Sequence, residues 1–247
     1  MASTSTRSID LGKLIGTTFS TWFRNLVPFT FLSLVVLSPM AATDYWVSTL
    51  PEDDYGMRPI GPQFLSLILP MVLTNVLSGA LTFGIVQQLR KQPAGFGASL
   101  AQGLRALPAV IGTALLVWLR VALFTLLLVI PGMIEMFRLY VAIPAAVMER
   151  GGVARAIERS ITLTDGSRWQ LFAAWLVTTM AAAVPMWFVV FFYVLSTGVQ
   201  EAPPWWINTA VQIVVGPLTA TMGATAYFLL RMQKEHIDAD QIAKVFE

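Results

Sequence analysis

The stretch from residue 107 to residue 150 constrains the fold more than any other part of the chain. It runs LPAVIGTALLVWLRVALFTLLLVIPGMIEMFRLYVAIPAAVMER, and before its last two residues its only charges are those of Arg120, Glu135 and Arg138. A helix needs about 20 apolar residues to cross the hydrocarbon core of a bilayer. The stretch is long enough for two crossings, and the dipeptide Pro131-Gly132 is a turn signal. It therefore predicts a transmembrane hairpin with spans at about 108-130 and 133-148.

The composition of the whole chain supports a membrane protein. Of its 247 residues, 56% are hydrophobic and only 12% are charged, whereas soluble domains carry about 25% charged residues. A soluble domain of this size could not bury so many apolar side chains. The net charge of +2 and the scattered basic residues argue against a nucleic-acid partner. The absence of cysteine excludes disulfides, thiolate catalysis and cysteine-based metal sites. A cleavable signal peptide is not expected, because the first apolar run begins near Leu26.

Hydropathy predicts an all-α integral membrane protein with six transmembrane helices arranged as three hairpins, in a single membrane domain covering 1-247. The spans lie at about 26-46, 62-88, 108-130, 133-148, 169-196 and 205-230. Amphipathic stretches at 8-25, 98-105 and 153-164 precede successive hairpins and predict helices in the membrane interface. For the first and the last of these, packing against the protein is an equally good interpretation. The charged residues 231-247 form a predicted cytoplasmic tail.

The distribution of Lys and Arg predicts the orientation, because cytoplasmic loops are enriched in these residues. Thirteen of the sixteen Lys and Arg residues fall at the two ends of the chain or in the segments after the second and fourth spans. The opposite loops hold only Arg58, together with the acidic residues Asp44, Glu52, Asp53, Asp54 and Glu201. We therefore expect a multi-pass protein of the cell (inner) membrane with both termini in the cytoplasm.

Several short motifs resemble a widespread, largely uncharacterised prokaryotic family of polytopic membrane proteins. The matching features are Pro131-Gly132, Arg138, Pro144, Glu149, Ala156, Arg159-Ser160, Leu163, Gly166 and Trp169. The opening DLGKLIGTTFSTWFRN and the ending ATAYFLLRMQKEHIDADQIAKVF are also similar. The family is related to the membrane domain attached to some glycerophosphoryl diester phosphodiesterases. The resemblance implies six spans but no phosphodiesterase activity, because that chemistry belongs to a separate soluble domain that this chain has no room for.

Catalytic motifs are nearly absent from the sequence. The single histidine, His236, lies in the tail, which excludes zincin motifs and Ser-His-Asp triads, and no phosphate-binding loop of the Walker type occurs. The run Glu52-Asp53-Asp54 could bind a cation through its carboxylates, but such a cluster is more often a solvated acidic loop. We expect no enzyme activity, no cofactor and no metal.

Arg120, Glu135 and Arg138 are the candidate functional residues inside the spans. An arginine at the centre of a bilayer costs about 2.5 to 3.5 kcal/mol on insertion scales, so such residues usually have partners. One interpretation is a structural network that fixes helix packing. The other is a binding site for an anion or a lipid headgroup, in which the same three residues line a path or pocket.

A second candidate feature is a seam of small residues in the sixth span. Gly216, Ala220 and Ala224 recur at four-residue spacing, and small residues at this spacing let helices approach closely. The seam predicts close packing within one protomer or, as the alternative, a dimer interface. The expected partners are therefore membrane lipids, with a homo-oligomer or another membrane protein left open.

These observations favour a non-enzymatic integral membrane protein with a scaffolding or lipid-interacting role. The alternative is a small-solute, anion or lipid transporter or channel with Arg120, Glu135 and Arg138 in its path. A polar cavity that reaches Arg120 would favour transport, whereas a packed surround would favour the first function.

Overall fold

The computed structural model describes residues 8-51, 59-92, 95-149, 151-198 and 204-235. It is 89% helical with six candidate membrane spans, and the described residues contain no strand. The prediction of an all-α, six-span membrane protein is therefore confirmed. The acidic run Glu52-Asp53-Asp54, the N-terminal tail and His236 lie outside the described residues.

Nine helices are defined in these five ranges. They are α1 (Leu11–Arg24), α2 (Leu26–Ser48), α3 (Ile60–Leu89), α4 (Phe96–Leu127), α5 (Val129–Arg138), α6 (Ala142–Met148), α7 (Gly152–Thr164), α8 (Arg168–Thr197) and α9 (Trp205–Glu235). The first, second, third, fifth and sixth candidate spans are α2, α3, α4, α8 and α9, while α5 and α6 together make the fourth.

Helix α9 is the centre of the bundle. In the most apolar 18-residue stretch of α9, 56% of the residues are buried, compared with 6% in the corresponding stretch of α8. It packs against α1, α2 and α3, and its side chains Met222, Tyr227 and Leu230 are among the most deeply buried in the protein. Because α9 carries many small residues, several helices can surround it, while α8 leaves most of its apolar surface for lipid.

Helix α4 corrects the prediction of a separate interfacial helix at 98-105, because that segment forms the first turns of one continuous helix. Close packing against α3 explains the continuity. A Cβ atom on Gly103 would lie 2.9 Å from the backbone of Ala80, so the two helices cross with almost no space between them. Pro108 lies inside α4 without ending it.

The turn of the central hairpin lies at Leu128 and not at Pro131-Gly132 as predicted. Leu128 is extended, with φ −163° and ψ 145°, and α5 begins at the next residue. Pro131 falls in the first turn of α5, where backbone N–H groups have no partner within the helix and proline is tolerated. Gly132 permits a close return of the chain, since its Cβ would lie 2.8 Å from Thr125 Cα.

The fourth span is interrupted, which corrects the prediction of a continuous helix over 133-148. Helix α5 ends at Arg138 and α6 begins at Ala142. The N–H of Ala142 donates to the carbonyl of Leu139. The carbonyl of Arg138 instead accepts from Ser160 Oγ at 2.9 Å and from Thr164 Oγ1 at 3.1 Å. Two side chains of α7 thus satisfy a backbone group that the break leaves without a helical partner.

Helices α1 and α7 both pack against other helices of the protein. This packing was one of the two alternatives predicted for each of them. Helix α1 contacts α8 and α9 and buries Leu14, Thr18 and Thr21. Helix α7 contacts α4, α6 and α9, and its buried face includes Ser160 and Thr164.

Candidate functional site

The position of the turn brings Arg120 and Glu135 to the same level of the central hairpin. Arg120 lies eight residues before Leu128 and Glu135 seven residues after it. At about 1.5 Å per residue, both lie roughly 10 to 12 Å from the turn. Arg138 follows one helical turn later on the same face of α5. A turn at Pro131-Gly132 would have offset the two residues, so the observed turn explains their direct contact.

Glu135 is held between the two arginines. Its Oε1 lies 2.5 Å from Nη2 of Arg120, and its Oε2 accepts a hydrogen bond of 3.0 Å from Nη1 of Arg138. The Arg120 contact is close enough for an ion pair, but its angle does not meet the geometry of a hydrogen bond, and Oε1 has no other donor among the described residues. The Glu135 side chain is 1% exposed, whereas each arginine side chain is 32% exposed.

The cluster lies near the end of the bundle at which α8 begins. Phe137, between Glu135 and Arg138, packs its ring against Phe172 and Trp175, with centroid distances of 5.4 and 5.8 Å. These two aromatic residues lie four and seven residues after the start of α8, about 6 to 10 Å along the helix. The contacts of Phe137 therefore place the cluster beside the first turns of α8.

The surface around the cluster is apolar and exposed. Leu119 is 66% exposed, Leu123 55% and Ile134 46%. The hairpin tip is more exposed still, with the five consecutive residues 126-130 all between 64 and 86% exposed. In a membrane protein such a surface faces lipid, so the partly exposed side chains of Arg120 and Arg138 also lie at the lipid-facing surface.

Neither of two well-formed cavities in the described part of the chain includes the cluster. One, of about 230 Å³, lies among α2, α3 and α9 and is also lined by Tyr140, Ile143 and Pro144, at and just after the break in the fourth span. The other, of about 420 Å³, lies among α4, α6 and the start of α7. Arg120, Glu135 and Arg138 line neither of them. Within the described ranges, no group of three or more His, Cys, Asp or Glu side chains could hold a metal ion.

Comparison with family models, with curated proteins and with solved structures found no match. The resemblance to the membrane domain of glycerophosphoryl diester phosphodiesterases therefore stays a prediction. The geometry of the chain itself has to carry any inference about its function.

A second charged network, which the sequence analysis did not identify as a site, joins α6, α7 and α9. Glu149 Oε1 accepts hydrogen bonds from Arg159 Nε at 2.9 Å and from the Tyr227 hydroxyl at 2.7 Å. Glu235 contacts Arg159 and also accepts from Arg231 Nε at 2.7 Å. The spacing of Arg231 and Glu235, four residues apart on one helix, was the available sequence signal. The network ties the end of the fourth span to the end of the sixth.

The small-residue seam is divided between the core and a cavity. Ala224 is fully buried and packs in the cluster that includes Phe29 and Ile85. Gly216 and Ala220 line the 230 Å³ cavity. A Cβ atom on Gly216 would meet no atom within 4 Å other than Gln212 Oε1, on the same helix. The close helix approach predicted for the seam is therefore not seen at Gly216.

Proposed function

We propose that this protein is a non-enzymatic integral membrane protein that binds anionic lipids through Arg120 and Arg138. The observation that carries the proposal is the unequal exposure of the cluster. The Glu135 side chain is 1% exposed, whereas the side chains of Arg120 and Arg138 are each 32% exposed. Two positive charges and one negative charge leave a net charge of +1, and that charge is presented at an apolar surface.

A net positive charge at a lipid-facing surface favours an anion as its partner. A guanidinium group donates several hydrogen bonds in a fixed fork that matches the oxygens of a phosphate. Long arginine side chains can also reach from apolar surroundings to the headgroup level. Because Phe137 packs against the first turns of α8, the arginine side chains have a shorter distance to reach to the lipid headgroups. Glu135 has the role of a positioning residue, because it holds both guanidinium groups on one face of the hairpin.

The orientation predicted from the Lys and Arg residues indicates which leaflet of the membrane the cluster approaches. Most Lys and Arg residues lie on the side where α8 begins, which the positive-inside rule assigns to the cytoplasm. We infer a cell (inner) membrane protein with cytoplasmic termini, whose cluster approaches the inner leaflet. The near absence of catalytic motifs from the sequence supports a non-enzymatic role. The transporter alternative is less well supported, because neither cavity includes the cluster.

The experiment is native mass spectrometry of the protein released from nanodiscs of phosphatidylcholine mixed with phosphatidylglycerol. The wild type should retain phosphatidylglycerol in preference to phosphatidylcholine. The double change Arg120→Gln with Arg138→Gln should weaken that preference by about ten-fold, the equivalent of one lost charge-assisted hydrogen bond.

Arg24→Gln is the matched control, because Arg24 is an exposed arginine at the end of α1. It should retain the wild-type preference. Added inorganic phosphate should not displace the lipid, since the apolar surround favours an amphiphile over a free ion. Equal lipid preferences in the wild type and the double variant would overturn the proposal.

A further inference from the structure

The 230 Å³ cavity is lined by uncharged residues, unlike the cluster of Arg120, Glu135 and Arg138, and should therefore select a different ligand. Its lining contains no charged side chain, and its polar groups come from Thr74, Ser78, Tyr140, Gln212 and Thr219. It lies beside the break in the fourth span, since Tyr140 belongs to the three residues between α5 and α6. Gln212 is seven residues inside α9, about 10 Å from the helix end. The cavity is therefore an uncharged groove between membrane-spanning helices, with several polar groups in a largely apolar lining.

Two of these polar groups have no partner in the described part of the chain. Thr74 donates to the carbonyl of Pro70 at 2.6 Å and Thr219 to that of Gly216 at 2.8 Å. Gln212 and Ser78 form no hydrogen bond with any described residue. An amide without a partner in an apolar medium costs several kcal/mol, so an occupant that hydrogen-bonds to Gln212 and Ser78 is favoured.

The shape of the groove limits what can occupy it. Its volume corresponds to about eight water molecules at roughly 30 Å³ each. A transmembrane helix from a second protein has a diameter of about 10 to 12 Å with its side chains, too wide for a space this small that Tyr140 and Pro144 also line. Gly216 and Ala220 leave an apolar wall along α9, against which an alkyl chain can lie.

We propose that this groove binds a neutral amphiphile, whose uncharged hydroxyl, ester or amide groups hydrogen-bond to Gln212 and Ser78. The alkyl part of the ligand lies along Gly216 and Ala220 and leaves the groove toward the lipid. The absence of charge in the lining excludes an anionic headgroup, which distinguishes this groove from the cluster at Arg120. The site does not depend on the proposed binding of anionic lipids.

Protection of a single cysteine tests the site directly, because the chain contains no cysteine. The variant Ala220→Cys, in phosphatidylcholine nanodiscs, is treated with a membrane-permeant maleimide with and without monodecanoylglycerol. At ten times the dissociation constant, the monoacylglycerol should slow alkylation about ten-fold. Decane and decyl phosphate should not slow it. Val214→Cys, at a residue that is 41% exposed and outside the groove lining, is the control and should react at the same rate throughout.

Two further variants separate the outcomes. Adding Gln212→Leu to Ala220→Cys should abolish protection, whereas adding Arg138→Gln should leave it unchanged even if anionic lipid binding is lost. Gly216→Leu should fill the groove without a clash, since only Gln212 Oε1 lies near its Cβ, and should abolish the thermal stabilisation of the otherwise unmodified chain by monodecanoylglycerol. Equal protection by decane, or protection that persists with Gln212→Leu, would overturn the proposal. So would protection that rises with protein density without added amphiphile, because that result indicates a second copy in the groove.

Discussion

Arg120 Nη2 lies 2.5 Å from Glu135 Oε1 across the central hairpin, and the Glu135 side chain is buried while the Arg120 side chain is a third exposed. The two residues meet because the chain turns at Leu128, which places them at nearly equal distances from the turn. The contact therefore joins α4 to α5 and at the same time leaves part of the Arg120 side chain exposed.

A double-mutant cycle should show that this pair is coupled. Arg120→Leu alone leaves a buried carboxylate with one partner, and Glu135→Leu alone leaves two guanidinium groups without a carboxylate. Removing both should restore stability relative to either single change, because an uncompensated buried charge costs more than a missing pair. We expect a coupling free energy on the order of 1 to 3 kcal/mol, measured by thermal unfolding in nanodiscs. Additive single effects would show that the contact contributes nothing to the fold.

Ser160 and Thr164 should stabilise the break in the fourth span. Ser160 Oγ donates to the carbonyl of Arg138, and the Thr164 hydroxyl shares its one proton between that carbonyl and the Ser160 carbonyl at 2.9 Å. Ser160→Ala should therefore cost about 0.5 to 1.5 kcal/mol, and Thr164→Val no more than that. The double change should cost more than the sum, because the buried carbonyl then has no donor. Thr162→Val is the control, since the exposed Thr162 hydroxyl bonds only within its own helix. A double variant as stable as the control would remove the proposed role of α7.

Tyr227 should link α6 to α9. Its buried hydroxyl donates to Glu149 Oε1 at 2.7 Å, and hydrogen bonds to charged groups contribute about 1.5 to 3 kcal/mol. Tyr227→Phe should lower the free energy of unfolding by that amount. Tyr45→Phe, at a residue that is 58% exposed, should change stability by less than about 0.5 kcal/mol. Equal stabilities of the two variants in detergent would contradict the role assigned to the network.

Two glycines should respond oppositely to the same substitution. A Cβ on Gly132 would lie 2.8 Å from Thr125 Cα, so Gly132→Ala forces the hairpin apart and should cost about 1 to 3 kcal/mol. Gly216→Ala meets no other helix and should stabilise α9 by about 0.5 to 1 kcal/mol, because alanine loses less conformational entropy than glycine. Unfolding temperatures of the two variants that shift in the same direction would contradict the described packing.

Hydropathy was sufficient to predict the six spans, because the lengths of the apolar runs are set by the thickness of the bilayer. It was not sufficient to locate the turn, because proline is common both in turns and in the first turn of a helix. Pro131 lies in the first turn of α5. Pro144 was the available signal for the break, because it falls in the first turn of α6 and has no N–H to donate to Tyr140. The hydrogen bonds from α7 to Arg138 connect residues more than 20 positions apart, which no local pattern predicts.

The grouping of Arg120, Glu135 and Arg138 was predictable because charges inside spans need partners. Their approach to the start of α8 was not, since it follows from the packing of Phe137 against Phe172 and Trp175, residues more than 30 positions away in the sequence. The groove at Gln212 was also not predictable, because the spacing of Gly216, Ala220 and Ala224 is equally compatible with close packing and with an open surface.

The most direct test of the central claim measures lipid contact at the cluster itself. A single cysteine replacing Leu116, one helical turn before Arg120 and 37% exposed, is labelled with a fluorophore in phosphatidylcholine nanodiscs that contain a small fraction of nitroxide-labelled lipid. Nitroxide-labelled phosphatidylglycerol should quench it more strongly than nitroxide-labelled phosphatidylcholine, and Arg120→Gln with Arg138→Gln should remove the difference. A label at Leu195, 65% exposed on α8, should be quenched equally by both lipids. Equal quenching at Leu116 in the wild type would contradict an anionic lipid site at Arg120 and Arg138.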